Sequence, residues 1–157
     1  MPIGKLMQFV KDSLGDNEAR DEENHDEAIR IATAVVLLDV AHADEKMSRG
    51  EESTVVEHLR SAFGLDDDDA RELLELADEI RRETIDHWHM TNQIRNSTSF
   101  ADRMEIVRSM WRIIYADGHF HQYEGYLVRK LSDLLGIEHP RMIEAKMTVR
   151  RELGLAE

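Results

Sequence analysis

Apolar positions recur along this chain at helical spacing, and the pattern is written twice. The first copy is Ala34 to Leu65, AVVLLDVAHADEKMSRGEESTVVEHLRSAFGL, and the second is Val107 to Ile137, VRSMWRIIYADGHFHQYEGYLVRKLSDLLGI. Each copy predicts an apolar helix ending in Ala-Asp, a short polar turn, and a second amphipathic helix that stops at Gly plus an aliphatic residue. Ala43-Asp44 and Glu51 fall in register with Ala116-Asp117 and Glu124, and the spacing shortens by one residue at Gly64 and Gly136. Two copies are too few for a solenoid, so the repeat predicts two helical hairpins closed about a pseudo-twofold axis.

The remaining pattern fills in the bundle. Ile3 to Leu14 reads as a first helix, followed by an acidic, aperiodic linker from Asp16 to Asp26. Residues 1–25 are therefore set apart from a helical domain over 26–157. Asp26 is the expected N-cap of a helix running to Ala43. That helix is apolar nearly all round, as is its counterpart from Phe100 to Tyr115, and such helices belong at the centre of a bundle. Ser48 to Phe63 is expected to begin with a capping box, Ser48 answering Glu51. Asp66 to Asp69 open a long fourth helix reaching about Ile94, with Leu73, Leu76 or Ala77, Ile80, Thr84 and Trp88 repeating at helical spacing. A further helix spans His121 to Leu135 and closes at Gly136, and a last one runs from Pro140 to Leu153. No stretch alternates with period two, so the fold class is all-α, a compact bundle of about seven helices.

Composition narrows the function. The net charge of -13 repels phosphate backbones and excludes nucleic acid as the expected partner. The absence of cysteine removes disulfides and thiolate metal sites. No run approaches the roughly 20 apolar residues of a membrane span, and the N-terminus lacks the apolar core of a signal peptide. These features point to a cytoplasmic protein with no direct membrane insertion. The expected partner is a protein, basic or membrane-associated, and a homodimer is a further expectation.

The two Ala-Asp turns carry a family resemblance. The string from Val107 to Leu127, with Trp111-Arg112, Tyr115-Ala116-Asp117-Gly118 and Tyr123-Glu124, resembles the tellurite-resistance TerB family of short stand-alone bacterial domains. AHADEKMSRGEE in the first copy matches less fully, and the resemblance extends from about Asp26 to Leu153. It implies a compact helical bundle of two related halves, tied to tellurite resistance and chemical stress, whose acidic residues have been proposed to act on metal ions.

The chemistry that the residues themselves suggest lies at the turns. Asp44, Glu51, Asp117 and Glu124 are the candidate metal ligands. Asp117-Gly118-x-Phe120-x-x-x-Glu124 has the spacing of the back half of an EF-hand loop, but the front half is apolar or aromatic, so a lone calcium loop is not expected. Two readings of the four acids stand side by side. In one they cap the helices that follow. In the other the pseudo-twofold brings the turns together, and four carboxylates hold one calcium, magnesium or manganese ion. His42, His119 and His121 flank the aspartates without a two-histidine helical spacing, which argues against a zinc centre. His87 and His89 diverge on their helix. Phe120, Tyr123 and Tyr126 are candidate contacts for a partner. No nucleophile, phosphate loop or acid/base dyad is recognisable, so a non-enzymatic role is expected.

Overall fold

The computed structural model describes residues 22–43, 47–83, 88–116 and 122–155, the side chains of 22–25 and 122–124 excepted. The described residues form seven helices and no strand. In order they are α1 (Glu22–Ala41), α2 (Arg49–Phe63), α3 (Asp67–Glu83), α4 (Trp88–Ser97), α5 (Phe100–Tyr115), α6 (Gln122–Leu134) and α7 (His139–Glu152). None of them is long and apolar enough to cross a membrane. The expected helix over Ile3 to Leu14 and most of the acidic linker lie outside the described residues.

The all-apolar helix takes the centre. Every apolar side chain from Ala28 to Ala41 is buried, and α1 packs on α2, α3, α4, α5 and α6. Such a helix has no face to offer water, so neighbours on all sides are its only stable arrangement. α5 packs against it through Val107, Met110, Ile113 and Ile114, all fully buried. Trp111 is buried too, and its indole N–H donates to the Met142 carbonyl on α7 at 3.2 Å, which removes the cost of burying that donor.

The repeat extends further than the copied sequence. α1, α2 and α3 pack on one another as α5, α6 and α7 do, with α4 set against α1 and α6. Each half is thus a three-helix unit. His42, at the end of α1, meets Asp78 of α3 at 3.9 Å; Tyr115, at the end of α5, meets Arg150 of α7 at 3.4 Å. These pairs occupy equivalent places in the two halves. Both second helices end alike. Gly64 and Gly136 stand at φ +66° and +77°, and the next residue's N–H returns to a carbonyl in the preceding turn, Leu65 to Arg60 and Ile137 to Ser132. That left-handed geometry is why glycine occupies both positions.

Two expectations are corrected. α1 starts at Glu22, so Asp26 lies inside the helix and does not cap it. Acidic residues are favourable near a helix N-terminus, and the end of the acidic stretch is absorbed into the first turns. Of the long fourth helix, α3 and α4 are described, and residues 84–87 between them lie outside the described residues. Trp88 is 51% exposed and lies edge-on to His89, while Met90, Thr91 and Ile94 carry the inward face of α4.

Candidate functional site

The first acidic turn leads into α2, whose start is built by local hydrogen bonds. The Ser48 side chain accepts from the Glu51 N–H at 3.1 Å, and the Ser48 N–H donates to Glu51 Oε1 at 2.7 Å. This reciprocal box satisfies two backbone donors that a helix start leaves open. It also fixes the Glu51 side chain, which is fully buried. A carboxylate withdrawn this far from water must be compensated by hydrogen bonds or by a positive charge.

The neighbour of that helix start is the second turn. A Cβ placed on Gly50 would stand 3.2 Å from the Ala116 carbonyl oxygen and 3.7 Å from the Ala116 Cβ. Glycine is what allows this approach of one backbone to another. Gly50 precedes Glu51, and Ala116 precedes Asp117. The fold therefore sets the C-terminal end of α5 against the N-terminal end of α2. Helix partial charges of opposite sign face each other there.

Of the four candidate ligands, Glu51 alone has a described side chain. Asp44 and Asp117 lie outside the described residues, and Glu124 is described only as a backbone position in α6. His87, His119, His121 and Phe120 also lie outside, and Tyr123 is described only as backbone. Among the described residues no group of three or more His, Asp or Glu side chains converges as a metal site. His42 is described, and it faces α3. Its pKa is lowered by burial first and by Arg81 next, against the pull of Asp78.

Along the α2–α5 contact lies a polar chain that the sequence did not single out. His58 Nδ1 and Ser109 Oγ are 2.6 Å apart, and both residues are buried. Arg112 donates to Ser109 Oγ and Glu105 through Nη1, and to Glu152 of α7 through Nε and Nη2. Burial opposes ionisation of Glu105, but bonds from Arg112 and Arg108 still hold its pKa below the usual value. Burial drives the His58 pKa down to about 4; Glu105 opposes that shift and Arg112 adds to it. The sign in the sequence was His58 itself, three positions after Val55 and next to Leu59 on the inward face of α2. A serine beside a histidine has the makings of a nucleophile and base. Ser109 Oγ is already engaged by His58 and by Arg112, and the pair serves to tie α2 to α5.

The family model described as Tellurite resistance protein TerB matches residues 30–147, from the middle of α1 to the middle of α7. No curated protein and no solved structure matches the chain.

Proposed function

The chain belongs to the TerB family, and from that premise we propose that it is a non-enzymatic, cytoplasmic stress-response domain whose two acidic turns together hold one divalent cation. Asp44, Glu51, Asp117 and Glu124 would be the ligands. The observation that carries the reading is the contact of Gly50 with Ala116, which sets the start of α2, where Glu51 lies, against the end of α5, one residue before Asp117 in the sequence. The donor set fits a hard cation. Calcium, magnesium and manganese prefer several oxygen ligands, and carboxylates from two turns supply more than either turn could alone. Bound there, the ion would supply positive charge to a buried carboxylate and clamp the two halves.

A second reading rests on the capping box at Ser48 and Glu51. In it the acids serve only the helix starts, and the domain docks a protein partner or a second copy of itself through exposed aromatics such as Trp88, Phe100 and Tyr126.

Metal analysis of the purified protein, with thermal melts in calcium, magnesium and manganese, separates the two. A cation present at a hundredfold excess over its Kd stabilises by about 2.7 kcal/mol, a rise in Tm of roughly 5–10 °C for a chain of this size. Asp117→Asn should abolish that rise. An unchanged Tm with every cation, together with metal-free protein, would refute the shared-ion reading and leave the capping reading standing.

A further inference from the structure

A second site lies between α6 and α7, away from the acidic turns. There a groove of about 380 Å³ is bordered by Tyr126, Arg129, Lys130, Ser132, Asp133, Ile137, His139 and Met142. The volume is at the small end of the range for small-molecule sites.

Two independent features mark the groove. The first is charge. Arg129 and Lys130 make no ion pair with any described carboxylate, although acids outnumber bases 33 to 20 in the chain. Elsewhere arginines find acidic partners readily, as Arg71, Arg81, Arg112 and Arg141 do. The second is Ser132. Its residue is 1% exposed, and its hydroxyl has no hydrogen-bond partner among the described residues. Helical serines commonly return a hydrogen bond to the preceding turn, so a buried hydroxyl without one is costly unless something else receives it.

We infer that this groove binds a phosphorylated small molecule with an apolar or aromatic body. Arg129 and Lys130 receive the phosphate, and the Ser132 hydroxyl donates to it. Ile137 and Met142 form the apolar floor, and the exposed ring of Tyr126, 62% accessible, offers a face for the body to stack on. Asp133 is the one carboxylate on the rim, and it accepts from a hydroxyl or amine elsewhere on the ligand.

The test uses the full chain, isotope-labelled, with a chelator present so that the outcome does not depend on any cation at the acidic turns. Phenyl phosphate is titrated, with phenol as the control lacking the phosphate. The expected result is saturable movement of the amide signals of Ser132, Ile137 and Met142 with phenyl phosphate and none with phenol. Arg129→Gln combined with Lys130→Gln should weaken binding about tenfold or more. Ser132→Ala should weaken it several-fold while leaving Tm unchanged or raised, because the orphaned hydroxyl is gone. No saturable movement, equal movement with phenol, or undiminished affinity in the double variant would overturn the assignment.

Discussion

The buried His58 makes this fold acid-sensitive in a defined window. Its pKa falls from 6.5 in the unfolded chain to about 4 in the folded one, because burial penalises the imidazolium. Above pH 6.5 both states are neutral at this position and it adds no pH dependence. As pH falls below 6.5, the unfolded chain takes up a proton that the folded chain refuses, so stability declines. The decline continues until the folded imidazole itself protonates near pH 4. Each pH unit in that window costs about 1.4 kcal/mol, and the whole window costs about 3 kcal/mol. Urea unfolding of the native chain and of His58→Gln, at pH 7 and at steps down to pH 4.5, reads the effect. Glutamine retains a polar partner for Ser109 but does not titrate. The native chain should be the more stable at pH 7, by about 1 kcal/mol for the better-fitted bond. Its advantage should shrink and then reverse as the pH falls. Carboxylates and His42 contribute the same background to both proteins and cancel in the comparison. An advantage that stays constant with pH would refute the reasoning, for it would mean that His58 takes up its proton over the same pH range in the folded and the unfolded chain.

The contact at Gly50 gives a test of the abutting helix ends. Gly50→Leu should cost about 1–3 kcal/mol in urea unfolding, since the obstructing atom is the Ala116 backbone oxygen, which cannot rotate away. A neutral substitution would show that the segments stand apart in solution. Ser48→Ala should cost about 1 kcal/mol through loss of the α2 cap, whatever the role of the acids. Glu51→Gln keeps an acceptor for the Ser48 N–H but removes the charge. If a cation is held, this variant loses the metal-dependent rise in Tm while staying folded; if its response to calcium, magnesium and manganese matches that of the native chain, Glu51 is a cap and nothing more.

Much of the fold was legible because its signals are local. Ser48 and Glu51 sit within one helical turn of each other, so their box needs no knowledge of the rest of the chain. Gly64 and Gly136 announce helix ends through a backbone conformation that other residues avoid. The unbroken apolar run from Ala34 to Leu38 can only be a central helix. The paired turns were visible because the chain repeats itself there.

What remained hidden depends on contacts between residues far apart in the chain. The third helix of each half shares too little sequence with its counterpart to be recognised. Only packing reveals that Asp78 answers His42 as Arg150 answers Tyr115. Trp88 looked like core because hydrophobicity gives no direction, and the side it faces is decided by how α4 docks. The approach of Gly50 to Ala116, the burial of His58 against Ser109, and the meeting of Arg129 and Lys130 of α6 with Met142 of α7 over one groove follow from helix-on-helix placement. By itself the sequence determined the helices, their ends and the duplicated plan, since those depend on neighbours a few residues away. The tertiary structure alone decided which acids, bases and hydroxyls share a space, because that is a property of the three-dimensional packing and is encoded at no single position.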